Sequence, residues 1–143
     1  MELLRVAEIL GGEGVIGKRL ENRMDLVELG SQGLTKDAVL HLANYLSLSL
    51  KELADLLPVT ERTIQRYSST DQLSTIVSEQ VLHIAEVVAR GMDIFEDKDK
   101  FLSWMMQPNT ALSYKVPLKL LASRFGIEMV LDEIGRIEYG VYS

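Results

Sequence analysis

The chain has no cysteine, three prolines and two histidines in 143 residues. Without cysteine there is no disulfide framework, no thiol nucleophile and no cysteine zinc site. No apolar run approaches the roughly 20 residues that a membrane span needs. Met1 to Leu10 carries Glu2, Arg5 and Glu8, not the basic-then-apolar layout of a secretory signal. A convincing period-two alternation is missing too, apart from a candidate extended tail at Tyr139 to Tyr142, and there is no internal repeat. An excess of basic residues is also absent: fifteen Lys and Arg face twenty-one Asp and Glu, a net charge of −6. Through Thr70 the count is eight basic against ten acidic, and beyond it seven against eleven. A protein that grips nucleic acid by charge alone is expected to be basic. Any DNA contact here must therefore come from a small local patch, used by a dimer. With 47% hydrophobic and 25% charged residues, what remains is a soluble, cytoplasmic protein of one compact domain or two small ones.

Helical periodicity dominates. Val39, Leu42, Ala43 and Leu46 repeat at i, i+3, i+4, i+7 behind Thr35, an N-cap with Asp37 in the first turn. Leu50, Leu53, Ala54 and Leu57 repeat the pattern behind Ser49, and Ser49 with Glu52 forms a capping box. A longer helix is expected from about Ser74 to Arg90, with Gly91 as its stop. Val81 to Ala89 is apolar nearly all round, so this helix should run through the core, with His83 a core residue. Lys100–Met106, Pro117–Arg124 and Glu128–Ile137 read as three further helices. The polar run Glu96 to Lys100 marks a boundary, giving an N-terminal domain over 1–93 and a C-terminal domain over 94–143. The fold class is all-α.

Two motifs invite a catalytic or nucleotide-binding reading and fail. Gly12-Glu13-Gly14-Val15-Ile16-Gly17 matches the dinucleotide fingerprint, but Met1 to Leu10 reads as a helix where a strand is needed. As a P-loop it has Arg19 in place of the magnesium-binding Ser or Thr. The plainer reading is a flexible turn between helices. His41 and His83 form no metal-ligand pair, and Ser78-Glu79 and Ser123-Arg124 form no nucleophile elbow. No enzyme, metal or cofactor is expected.

Leu50 to Tyr67 is more informative. Small Ala54 permits a close helix crossing, Pro58 ends the first helix and Thr60 caps the next. Val59 is spaced to staple onto Ile64, and Ile64 and Tyr67 share an inward face. Arg62, Thr63, Gln65 and Arg66 then face outward from the second helix, the layout of a helix-turn-helix over about 50–67 that can bond bases and phosphates. The plainer alternative is an αα-corner whose polar face is merely solvated.

With Leu53-Ala54, Leu57-Pro58-Val59-Thr60 and Arg62-Thr63-Ile64-Gln65-Arg66, the chain resembles the Xre/MbcA/ParS-type antitoxins, partners of RES-domain toxins in type II toxin–antitoxin pairs. The C-terminal part adds Trp104, Pro108-Asn109, Ala111-Leu112, Pro117-Leu118, Leu120-Leu121, Gly126 and Val130. It closes with Ile134-Gly135-Arg136-Ile137-Glu138-Tyr139-Gly140-Val141, and the resemblance spans about Gly33 to Ser143. Where the family often has Gly-Gly, this chain has Ser113-Tyr114, so the turn into Pro117 is expected to differ in backbone or side-chain cover.

The resemblance implies an N-terminal helix-turn-helix domain that binds operator DNA as a homodimer or higher assembly. It also implies a small helical toxin-binding domain that covers the NAD⁺ pocket of a RES-domain toxin, with no cofactor of its own. Arg136, Glu138, Tyr139 and Tyr142 near the C-terminus are the candidate toxin-facing residues. Trp104 reads either as core, one helical turn from Phe101, or as an interface anchor. The rival function is a stand-alone helix-turn-helix repressor whose C-terminal domain only oligomerises.

Overall fold

Side-chain caps decide where most helices begin in the computed structural model, which describes residues 2–140. The chain divides into two compact units that meet within one long helix, at Glu86 and Val87, a few residues before the 93/94 boundary expected from the polar run. Among the described residues extended backbone pairs only at two isolated bridges, Thr35 with Gln72 and Asn109 with Lys115.

The first unit contains α1 (Glu2–Ile9), α2 (Glu13–Ile16), α3 (Arg23–Gln32), α4 (Lys36–Tyr45), α5 (Leu50–Ala54), α6 (Glu61–Gln65) and the first half of α7 (Thr75–Phe95). Thr35, Ser49 and Thr60 cap α4, α5 and α6 as their spacing predicts, and Ser49 and Glu52 close a full capping box. A second box, Asn22 with Asp25, starts α3. The apolar stripe of α3 is broken, which hides the helix from its periodicity: Leu26 and Leu29 are buried, but Met24 and Val27 stay exposed.

The glycine segment is not a loose turn. Gly11 and Gly12 have φ of +106° and +88°, and Gly17 closes α2 at +72°, so the glycines reverse the chain around one helical turn. Helix α1 precedes it where a dinucleotide site requires a strand.

The core of this unit draws Val6, Ile9 and Leu10 from α1, Leu29 from α3, Val39 and Leu42 from α4, Leu53 from α5 and Ile64 from α6. Val81, Ile84 and Ala85 of α7 are completely buried; a Leu- or Ile-sized side chain contributes about 1.5–3 kcal/mol when buried. His83 departs from expectation. Its side chain is 53% exposed, with Glu86 one turn away at 4.0 Å, because α7 spends its apolar residues on the opposite side.

The second unit holds the rest of α7, then α8 (Lys98–Met106), a 3-10 turn (Thr110–Leu112), α9 (Pro117–Leu120) and α10 (Arg124–Glu138). Helix α7 does not stop at Gly91. A Cβ there would collide with the ring of Phe101, which is wholly buried, so Gly91 provides room for an aromatic side chain. The stop comes at Glu96, with φ +60°, and Asp97 caps α8. The helix expected over Pro117–Arg124 ends early, at Leu120. Ser123 accepts the Gly126 N–H at 3.0 Å and starts a new helix at Arg124. Gly126 lies so close to the Leu120 carbonyl that no Cβ fits. Tyr139 is the C-cap of α10 and not part of an extended tail; Val141, Tyr142 and Ser143 lie outside the described residues.

Gly91→Ala should destabilise the chain by about 1–3 kcal/mol, the usual cost of overpacking a filled core, read by urea unfolding. The caps also set a pH dependence. Asp25 accepts the backbone N–H groups of Glu21 and Asn22 and pairs with Lys18, and Glu52 accepts from Ser49, so both carboxyls lie below their ordinary values. The folded state then binds fewer protons near pH 4 than the unfolded one, so this stability is complete above the unfolded pKa and is lost as pH falls through the folded values. Asp25→Asn with Glu52→Gln should flatten the fall in melting temperature between about pH 5 and 3. A wild-type acid slope in that variant would contradict the assignment.

Candidate functional site

The helix-turn-helix is assembled by short-range caps and positioned by long-range bonds. Helix α5 closes at Ala54, ahead of Pro58, because the N–H groups of Leu56 and Leu57 turn back to the carbonyls of Leu53 and Ala54. Pro58 therefore follows the turn and does not end the helix itself. Thr60 Oγ1 accepts the Thr63 N–H at 3.2 Å and lies 2.9 Å from Thr63 Oγ1. The Thr63 hydroxyl is thus already engaged in the cap. Ile64 is fully buried and Tyr67 half-buried, while Arg62, Gln65 and Arg66 are exposed. Arg66 sits at the C-cap, its N–H shared among the preceding carbonyls.

The end of α6 is held by residues that sequence spacing did not single out. Lys36 Nζ donates to the carbonyls of Tyr67 and Gln65 at 2.9 and 3.3 Å, a cation where the helix presents unpaired carbonyls. Lys36 N–H and Asp37 N–H donate to Asp71 and Ser69, and Leu73 N–H donates to Leu34. Ser78, wholly buried, accepts the Leu34 N–H at 2.8 Å, so this serine is a structural hydroxyl. These bonds join residues about 30 to 44 positions apart, beyond the reach of any periodicity signal. The outcome is two guanidinium groups and one carboxamide on an exposed edge, the functional groups that read guanine, adenine and phosphate.

The second unit places its expected partner-facing residues differently. Arg136 pairs with Glu133 and Glu138 with Arg90, each at 2.8 Å. Tyr139 is 81% exposed, and Tyr142 lies outside the described residues. Trp104 divides between its two readings: it is half-buried, packed 5.5 Å from Phe95 and stacked 6.5 Å from Phe101. Its remaining edge lines a shallow hollow with Gln107, Pro108, Asn109 and Thr110.

Beside that hollow lies a loop closed at both ends. Asn109 N–H donates to Lys115 at 3.0 Å, Tyr114 N–H to Asn109 at 2.8 Å and Lys115 N–H to Leu112 at 3.0 Å. Asn109 Oδ1 accepts the Ala111 N–H at 2.8 Å. Within the loop Ser113 and Tyr114 both have positive φ, 56° and 64°. The Ser113-Tyr114 pair therefore occupies backbone that glycine would adopt without strain.

Among the described residues no group of three or more His, Asp or Glu side chains is arranged to hold a metal, and no helix is long and apolar enough to cross a membrane.

Comparison with known proteins adds to this geometry. Residues 25–86 match the antitoxin Xre-like helix-turn-helix domain, and residues 90–140 match the antitoxin Xre/MbcA/ParS C-terminal toxin-binding domain. Antitoxin Xre of Yersinia enterocolitica is 28% identical over 120 residues, covering 82% of this chain and 81% of its own. Antitoxin Xre of Photorhabdus laumondii is 32% identical over 80 residues, 55% of this chain and 54% of its own. The fold is similar to a chain in the crystal structure of the M. tuberculosis MbcT–MbcA toxin–antitoxin complex. The TM-score is 0.58 at 21% identity, over 76% of this chain and 96% of that one.

Thr60→Ala removes the cap of α6 and should cost about 1 kcal/mol, read as a lower denaturation midpoint. An unchanged midpoint would mean that the Lys36 bonds and Ile64 alone hold the helix.

Proposed function

Because the chain belongs to the Xre/MbcA/ParS antitoxin family, and is the antitoxin of a toxin–antitoxin system, we propose that it neutralises a RES-type, NAD-consuming toxin and represses its own operon. In this reading the toxin-binding domain covers the toxin's active site, and the α5–α6 unit reads operator DNA. The observation that carries it is the presence of both devices in one chain: an exposed Arg62, Gln65, Arg66 edge and a separate toxin-binding domain. The RES class of the toxin follows from the resemblance in the residues quoted above. The protein works in the cytoplasm, where both its toxin and its operator would lie.

With a net charge of −6, affinity for DNA cannot come from the overall field. It rests on a few contacts repeated in a dimer or higher assembly. Arg62, Gln65 and Arg66 are the side chains free to reach bases and phosphates. Thr63 contributes through the cap it shares with Thr60, and its hydroxyl can donate to a phosphate oxygen when Thr60 supplies the proton of the bond between the two threonines. On the toxin side Arg136 and Glu138 exchange their internal partners for toxin groups, while Tyr139 and Tyr142 supply aromatic contact.

Two measurements test the two halves. Co-expression with the tagged product of the adjoining reading frame should restore growth and co-purify this chain; a harmless neighbour that forms no complex would favour the stand-alone repressor. Arg62→Ala or Arg66→Ala should weaken binding to DNA from upstream of the gene by about 1–3 kcal/mol where the contact is bidentate to a base. A phosphate contact would instead lower the salt slope on all sequences. Wild-type binding in both variants would remove the helix from the groove, and unchanged toxin affinity in an Arg136→Ala, Tyr142→Ala double variant would remove those residues from the interface.

A further inference from the structure

We propose that Tyr114 is an anchor of the toxin interface, an aromatic side chain held out by a rigid, strained loop for insertion into an apolar recess of the toxin. The inference rests on the toxin-binding reading above and names a residue within it.

Tyr114 is poorly suited to its place in the backbone. Ser113 and Tyr114 follow one another in the left-handed region, at φ 56° and 64°. For a residue with a Cβ that region is strained, and a bulky aromatic there is an outlier. Ser47 and Glu96 also have positive φ, but each is a single polar residue just past a helix end, where this conformation is routine. The loop's hydrogen bonds, from Asn109 to Lys115, impose the conformation on both residues. Buried Leu112 holds the loop down from beneath.

Glycine would satisfy this backbone without strain, and the fold gains nothing from a tyrosine. Its side chain is 73% exposed, and among the described residues its hydroxyl has no partner. Strained residues kept where the fold does not need them mark functional positions. The conformation also suits binding. The loop is already ordered, so little backbone entropy is lost on association. A tyrosine adds a large contact area with few rotatable bonds and a polar tip. The chemistry of the side chain calls for a partner recess with apolar walls and a hydrogen-bonding group within reach of the phenol. The toxin is the expected occupant because the loop lies within the unit that matches a toxin-binding domain.

The test uses the full chain and the purified product of the adjoining reading frame. Tyr114→Gly removes both the ring and the strain, so it should raise the melting temperature while weakening toxin affinity by about thirtyfold or more, as loss of an aromatic hot spot does. Tyr114→Phe should keep most of the affinity, because the ring is retained. A folding defect cannot mimic this result, since the glycine variant is expected to be the more stable one. Tyr114→Gly with full toxin affinity would overturn the proposal, as would a variant that loses only self-association, which would assign the loop to a second copy of the chain. An unchanged or lower melting temperature would overturn the strain argument. Failure of the wild-type chain to bind this neighbour would instead reject the toxin-binding reading itself, and is distinguishable because it does not depend on residue 114.

Discussion

The buried hydroxyl of Ser78 is the interaction on which the N-terminal unit depends. It accepts the backbone N–H of Leu34 at 2.8 Å in a site without solvent, which places the start of α4 against α7. From that point the chain is tied in sequence. Leu34 takes the Leu73 N–H, Thr35 bridges to Gln72, and Lys36 reaches the carbonyls at the end of α6. Helix α6 has only five residues and would not be stable alone, since isolated helices this short are not populated in water. Its orientation is inherited from bonds made by residues outside the motif.

In the second unit, close approach plays the corresponding role. Phe101 lies over Gly91 and the Leu120 carbonyl lies over Gly126, and neither position has room for a Cβ. These contacts set how α8 meets α7 and how α10 follows α9. Both glycines lie inside helices, where glycine is intrinsically unfavourable, so packing explains their presence better than backbone freedom does. The loop at Ser113 and Tyr114 shows the reverse. There the backbone calls for glycine and the sequence supplies side chains.

The chain is acidic overall, with a net charge of −6, and carries Arg62 and Arg66 on one exposed edge. Under the proposed function, weak sequence-independent attraction would leave specificity to a few groups, chiefly Arg62, Gln65 and Arg66, and would make assembly state important for operator affinity. The toxin-binding unit has a similar economy: Arg136 and Glu138 are already paired within the chain. In the proposed complex an ion pair that trades one partner for another would add little affinity but constrain register, and most of the binding energy would come from groups that are exposed and apolar or aromatic.

The sequence by itself determined the helical class, the starts of α4, α5 and α6, and the inward and outward faces of the helix-turn-helix. Caps and periodicity act over three or four residues, and Thr35, Ser49, Thr60 and Ile64 carry that information locally. Helix α3 was also encoded in its Asn22–Asp25 box, though its broken apolar stripe concealed it. Only the tertiary structure decided what depends on distant partners. Gly91 became a packing position because of Phe101, His83 turned outward because α7 buries its other side, and Ser123 started a helix where the reading of Pro117–Arg124 had one still running. Lys36 and Ser78 acquired their roles from carbonyl and amide groups some 30 to 44 residues away. Local patterns record which faces a segment can bury; they hold no record of which neighbour arrives to cover them.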